Sequence, residues 1–469
     1  MMPKILLLIT LILSLIKYSH AQSLDTVFVK EMLVNSHPAK IAYKNGKLVF
    51  TATIVTGTYS AYIAMTDLNG NIIWQKQYND DTYRGAAGVA INNSNTIYFC
   101  NSKARVYKIN ALNGDTIWNR VISLPANPSY IYSDALVIKP DGGVIVSGFI
   151  INDGDWFIVN LSPDGTQLSS KVINFSNSTS TTCRGIALTP DNKIILCGNG
   201  NYGRPTVMAF DLNNLEVPLW ETSVNKFNSL QEEVLQDVKI KGNYIYAVGT
   251  AAYIEPQRIL KLNMSGQVIA DTTFGNERTG FDCVFNSRSQ LIVGGGQTKV
   301  PGQHYSTIAM NVYNENISLL STYNNNCDSL YNSIYINTLT IDTLDKIYCL
   351  ATAYVGNVER TVLIKVVDNS PSGITGYEGT VLSKYSLSQN YPNPFNPVTK
   401  IRFKAPGADL ITIKVFDISG KEISTLVNQR MNAGVYETEF AGTGLPSGVY
   451  LYRMEAGDYR ETKKMILLR

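Results

Sequence analysis

Enzymatic chemistry needs ionisable groups that converge with tuned protonation. Adjacent carboxylates, the residue type for general acid–base work, stand at Asp80-Asp81 and Glu232-Glu233. Set in polar, turn-rich sequence, both pairs read as solvated loop charges. Beyond the first 21 residues only His37 and His304 supply imidazole, too little for an ordinary zinc site. No two of the six cysteines have C-x-x-C spacing. No catalytic residue, metal ligand or cofactor site is assigned from these patterns. The variable segments hold a different inventory: Tyr83, Arg84, Arg105, Trp156, Tyr202, Arg204, Arg258, His304 and Tyr305. Aromatic rings and guanidinium groups among Asn, Ser and Gly are what recognition surfaces use.

The elements that position these residues follow from an internal repeat. Seven segments share one pattern at a spacing of about fifty residues, including Lys40–Ala52, Ala135–Gly148, Gly185–Gly198, Asp237–Gly249 and Asp282–Gly295. In each, a short alternating run, a polar turn and an apolar run ending in small residues are followed by a variable loop and a second hairpin. Period-2 alternation bounded by Asn-Gly, Asp-Gly and Pro-Asp turns is a hairpin signature. Four short antiparallel strands per repeat make one propeller blade, which buries its faces only against its neighbours. The expectation is a seven-bladed β-propeller over residues 22–368. Its seventh repeat supplies three strands, and residues 25–33 supply the missing outer one, leaving no open edge. Loops joining second to third strands, and blade to blade, then meet on one face with the tyrosines and arginines above. The longest such loop, Gly295–Thr307, carries His304 and Tyr305.

Several turns read N-G-x-x-x-W: Gly70 leads to Trp74, Gly114 to Trp118, and a degenerate version ends at Trp220. These repeats resemble the delta-60 and pyrroloquinoline-quinone-type propeller repeats. The resemblance implies the fold and a Trp docked on the neighbouring blade; nothing matches a quinone site. Ser162-Pro163-Asp164-Gly165 is a poor likeness of a sialidase-type box, with no Trp following. Asp67-x-Asn69-x-Asn71 faintly resembles a calcium loop but falls in a hairpin turn that recurs without ligands. Cys100, Cys197 and Cys349 occupy similar places in different repeats, too far apart to bridge, and read as buried apolar residues. Cys183, Cys283 and Cys327 leave a pairing open. Asp-Ser/Thr steps such as Asp115-Thr116-Ile117 and Asp271-Thr272-Thr273 resemble a bacterial O-glycosylation acceptor pattern, though turns use these residues anyway.

The two ends differ from the body. Lys4, the apolar run Ile5–Ile16 and the small residues Ser19 and Ala21 form a signal peptide over 1–21, cut after Ala21. The apolar run is shorter than the ~20 residues a spanning helix needs. Its removal leaves 38 basic against 37 acidic residues, no field for nucleic acid or an anionic membrane.

A linker at 369–384 precedes about seven short strands over 385–469, a small immunoglobulin-like β-sandwich. Tyr391-Pro392-Asn393-Pro394-Phe395-Asn396-Pro397, Asp417-x-x-Gly420, Gly448 with Tyr450, and Lys464 stand in order there. This tail resembles the type A C-terminal sorting domain of the type IX secretion system; flagellar hook-capping proteins share the opening motif as a structural domain. The resemblance implies a Gram-negative host, export through the periplasm, and the secretion machinery as partner. It also implies a cleavable tail, with the cargo released or attached to lipopolysaccharide. Locally, the prolines should fix an extended entry strand and Gly420 and Gly448 should serve tight turns.

The expectation is therefore an all-β, secreted or cell-surface propeller that binds an extracellular protein or glycan without catalysis. The competing class is a polysaccharide hydrolase or lyase with carboxylates on the loop face, which two buried facing carboxylates would favour. A structural module of a surface assembly is the third.

Overall fold

Asn45-Gly46, between strands Ser36–Lys44 and Lys47–Val55, shows how the repeat folds: both residues take positive φ, 49° and 74°, the turn that matches strand twist in a two-residue hairpin. The computed structural model describes residues 24–79, 86–101, 104–125, 128, 131–151, 154–175, 181–224, 233–250, 257–274, 280–297, 307–325, 331–368, 385–390, 392–405, 409–431 and 434–468. The chain divides into two compact units, Asp25–Val367 and Asp368–Arg469.

The described strands of the first unit make seven four-stranded antiparallel sheets. Blades 1 to 6 run Ser36–Tyr78, Ala86–Val121, Ile131–Ile173, Thr182–Ser223, Val234–Phe274 and Asp282–Asn325. Blade 7 takes three strands from Ser333–Asp368, and its outer strand is Leu24–Val34, paired to Val358–Asp368. The first strands of successive blades touch one another, and that of blade 7 touches that of blade 1. The circle is closed.

Middle strands read as continuous apolar runs because both faces are covered. In blade 3, Val144–Ile150 and Asp155–Leu161 are buried throughout, whereas the outer strand Gln167–Ile173 is half exposed. The core lies between blades: Trp74 with Ile97 and Phe99, Val106 with Phe157, Trp156 with Leu196, and Phe50 with Tyr348 and Leu363. The three recurring tryptophans dock across these seams. Trp74 Nε1 donates to Ala111 O (2.8 Å), Trp118 Nε1 to Pro163 O (3.0 Å) and Trp220 Nε1 to Met264 O (3.1 Å). Each acceptor belongs to the second hairpin turn of the next blade. That turn needs glycine: a Cβ on Gly114 would stand 2.7 Å from Trp74, and one on Gly266 2.5 Å from Trp220.

First strands carry a bulge in six blades, between Pro38/Ile41, Ala86/Val89, Ser133/Ala135, Cys183/Gly185, Leu235/Asp237 and Ile336/Thr338. The bulge brings a carbonyl close under the second strand, which explains the small residue there: a Cβ on Gly198 would lie 1.8 Å from Thr182 O.

Cysteines 100, 183, 197, 283 and 349 are buried free thiols; Cys327 lies outside the described residues. Cys349 does not share the place of Cys197. Cys197 pairs with Gly185, the first residue after the bulge, while in blade 7 that place is Leu350, opposite Thr338. A one-residue offset turns a strand side chain to the other face.

The second unit has two sheets. One holds Ser386–Leu387, Val398–Ala405 and Gly434–Ala441; the other holds Glu422–Met431, Asp409–Phe416, Gly448–Ala456 and Tyr459–Leu467. Leu387, Ile401, Phe403 and Phe440 of the first share one core with Ile411, Val415, Tyr452 and Met465 of the second. Among the described residues no helix is long and apolar enough to cross a membrane.

Candidate functional site

Of the residues expected on the loop face, Tyr83, Arg84, His304 and Tyr305 lie outside the described residues. Two others are not at the surface. Trp156 is fully buried, packed edge-to-face on Phe175 between blades 3 and 4. Arg258 is equally buried: its Nη1 is bonded to Glu233, and its Nε and Nη2 take both oxygens of Asp271 at 3.0 and 2.8 Å. Both lie within the first two residues of a third strand, inside the sheet. Glu233, read as a solvated charge, is buried as the partner of Arg258. Asp80, Asp81 and Glu232 fall outside the described residues. Half-buried Arg105 is engaged with Asn119 Oδ1 at 2.7 Å.

Tyr202 and Arg204 do present themselves to solvent. They flank Gly203 on a single 3-10 turn, Asn201–Gly203, between the second and third strands of blade 4. Tyr202 is 64% exposed and holds φ 59°, ψ 27°, a left-handed conformation rare for a bulky residue. The Arg204 guanidinium lies 5.2 Å from its ring centroid, within cation–π range. On the same turn, Asn201 Oδ1 is buried with no hydrogen-bond partner.

A second constellation was missed in the sequence. Asp237 of blade 5 and Asp282 of blade 6 face each other on the innermost strands, their side chains 7% and 5% exposed. Lys239 Nζ stands 2.6 Å from Asp237 and 3.8 Å from Asp282; Lys40 of blade 1 is 3.3 Å from Asp282. Burial, and behind it the charge of Asp282, push Asp237 up to about 6 against the pull of Lys239. Burial works against ionisation of Asp282 too, but Lys40 and Lys239 overcome it and hold that carboxyl well below the usual range. A signal was present: both aspartates open their repeats at one equivalent place in consecutive blades.

Asp67 caps its own hairpin turn. Its Oδ1 accepts from the backbone N–H of Asn69 and Asn71, both at 2.8 Å, and its Oδ2 from Asn71 Nδ2. Neutral Asn263 and Asn314 cap equivalent turns the same way.

In the tail, Tyr391 lies outside the described residues. Pro392 to Pro397 form a run of bends rather than the extended strand expected of them. Phe395 is the anchor: buried against Phe440, it exchanges backbone hydrogen bonds with Ile466 O and Leu468 N at 2.9 Å. Pro392, Asn393, Pro394, Asn396 and Pro397 are exposed, with Asn393 Oδ1 accepting from Ile466 N. Asp417 Oδ1 accepts from Ser419 N and Lys421 N, and Gly420 takes φ 85°. Gly448 instead begins a strand, and Gly444 at φ 89° serves the neighbouring turn. Tyr450 donates to Pro446 O at 2.8 Å; Lys464 is exposed, its carbonyl bonded by Gln389.

A closed circle of four-stranded sheets defines the first unit as a β-propeller, and the second is a C-terminal β-domain carrying ordered turn motifs. Residues 389–468 match the Secretion system C-terminal sorting domain. The chain thus bears a type IX sorting tail, its partner is the type IX secretion machinery, and it is a secreted or cell-surface protein. No curated protein matches the sequence. Among solved structures it is similar to BamB from Moraxella catarrhalis, at 14% identity over 72% of this chain and 99% of that one, TM-score 0.45. It is similar to the WD40 β-propeller domain of Doa1, at 10% identity over 72% and 96%, TM-score 0.46. It also resembles PorZ of Porphyromonas gingivalis, an essential surface component of that organism's type IX system. That likeness is 11% identity over 92% of this chain and 59% of that one, TM-score 0.46.

Proposed function

We propose that the propeller is a non-enzymatic binding module acting outside the cell on an extracellular protein or glycan. Residues 1–21 serve as a signal peptide. The tail, an immunoglobulin-like sandwich, is removed on export, and the ring is then released or attached to lipopolysaccharide. One observation carries the binding role: Tyr202 is held exposed in a conformation bulky residues avoid, with Arg204 stacked over it. Strained, solvent-facing residues cluster at ligand clamps, and an aromatic ring beside a guanidinium suits both a sugar face and a peptide. Purified full chain, screened on a polysaccharide array and against proteins of the culture medium, should capture a ligand that the Tyr202→Ala/Arg204→Ala variant loses. Equal capture by both proteins would remove this turn from the site.

The competing hydrolase or lyase reading has the facing carboxylates of Asp237 and Asp282 in its favour. Their lone pairs are already engaged by Lys40, Lys239, Thr338 and backbone N–H groups, which favours a structural duty. Release of reducing ends from a polysaccharide by the wild type, abolished in Asp237→Asn, would establish the enzyme instead.

A further inference from the structure

The pair at the bore has an unequal supply of hydrogen bonds. Asp282 accepts from Thr338 Oγ1 (2.5 Å) and Leu339 N (3.2 Å) of blade 7, from Lys40 Nζ (3.3 Å) of blade 1, and from Cys283 N (2.8 Å). Lys239 of blade 5 adds a further charge at 3.8 Å. Asp237 accepts from Lys239 Nζ (2.6 Å), Cys283 N (3.2 Å) and Cys283 Sγ (3.4 Å), and all three reach the one oxygen Oδ2. The two carboxyls sit side by side, because Cys283 N bonds to both and Lys239 Nζ stands within 4 Å of both. Two buried carboxyls so placed oppose each other's ionisation, and a proton kept by either gives it an O–H able to donate to the other. The better-supplied oxygens belong to Asp282.

We propose that Asp237 carries the proton of a shared-proton carboxyl pair with Asp282, and that this pair is a pH-responsive lock joining blades 5, 6, 7 and 1 across the bore.

The charged and titratable groups facing the pair are Lys40 of blade 1, Cys197 of blade 4, Lys239 of blade 5, Cys283 of blade 6 and Cys349 of blade 7. Burial pushes all three thiols up, so they stay neutral. Both lysines keep their charge: burial opposes it, but the aspartates raise them. Asp237 is the member that changes charge under mild conditions. Its folded value, about 6, exceeds its unfolded value of 3.8, so the stability it contributes is complete below 3.8 and lost as pH rises through about 6. Asp282 has the opposite sign: its contribution is present above the unfolded carboxylate value and lost as pH falls. The lock is tightest near the unfolded carboxylate value of 3.8, where the two contributions overlap, and weakens as pH rises through about 6.

The proposal concerns the ring's integrity and does not rest on the binding role. It is tested by thermal unfolding of the full chain at pH 5 and pH 8 for wild type, Asp237→Asn and Asp282→Asn. Asparagine mimics a protonated aspartate, and in Asp237→Asn Lys239 keeps Asp282 as a counter-ion at 3.8 Å. Asp237→Asn should therefore unfold above wild type at pH 8 and show a smaller drop between the two pH values. Asp282→Asn, which strips the counter-ion from Lys40, should unfold below wild type at both. An Asp237→Asn ring as unstable at pH 8 as Asp282→Asn, with the wild-type pH dependence intact, overturns the assignment. Should either variant fail to fold, infrared spectra of wild type in D2O decide the matter. A protonated-carboxyl band present at pH 5 and gone at pH 8 supports the pair; no such band at pH 5 refutes it.

Discussion

Adding one methyl group at Gly114 tests the inter-blade docking that the repeat depends on. Two penalties combine in Gly114→Ala. The residue holds φ 77°, which costs an L-residue roughly 1–2 kcal/mol. The new Cβ would also stand 2.7 and 2.8 Å from Trp74 Cε3 and Cδ2, overpacking that typically costs about 1–3 kcal/mol. The sum is on the order of 2–5 kcal/mol. For a ring spanning Asp25–Val367, an unfolding entropy of about 2.1 cal/mol/K per residue converts this to a Tm drop of roughly 3–7 °C in scanning calorimetry. Gly46→Ala is the control: φ is 74° but nothing lies within 4 Å of the new Cβ, so only the backbone part, about 1–2 kcal/mol, should appear. In a Trp74→Ala background the cost of Gly114→Ala should fall to that same value, since the steric partner is gone. A Gly114→Ala ring within a degree of wild type, or an equal cost with and without Trp74, would refute the docking argument.

Replacing fully buried Arg258 by methionine removes its ion pairs to Glu233 and Asp271, and should cost about 3–5 kcal/mol, read as a lower denaturant midpoint. Phe395→Ala should cost the tail about 3–5 kcal/mol while leaving the propeller's transition in place. Because the tail carries the address, the same substitution should deplete the protein from culture medium; undiminished secretion would show that the anchored Pro-rich segment is not needed for sorting.

The alternation and turn residues of the repeat carry the blade pattern, since a strand covered on both faces has to be apolar and its hairpins need Asn-Gly or Asp-Gly. Trp74, Trp118 and Trp220 were legible as seam residues from the N-G-x-x-x-W turns. Trp156 and Arg258 were misplaced because a residue at the start of a strand already belongs to the sheet, where side-chain direction alternates, and does not turn out with the loop before it. Arg258 also breaks the rule that buried positions are apolar, and Glu233 and Asp271, distant in sequence, help make it tolerable. Asp237 and Asp282 stood in register in consecutive repeats, but the bulges and the approach of Lys40 from blade 1 across the closed circle are three-dimensional facts. In the tail, the motif order was readable while the division of labour was not. One buried Phe395 holds a bend whose prolines stay at the surface, and Gly444 rather than Gly448 takes the turn.

Mass spectrometry of both termini of the native protein, taken separately from periplasm, cell surface and culture medium, tests the central claim most directly. The account predicts a protein outside the cell that starts at Gln22 and lacks the sorting domain. A periplasmic protein with Arg469 intact would contradict it, and the ring's ligand would then have to be sought inside the envelope.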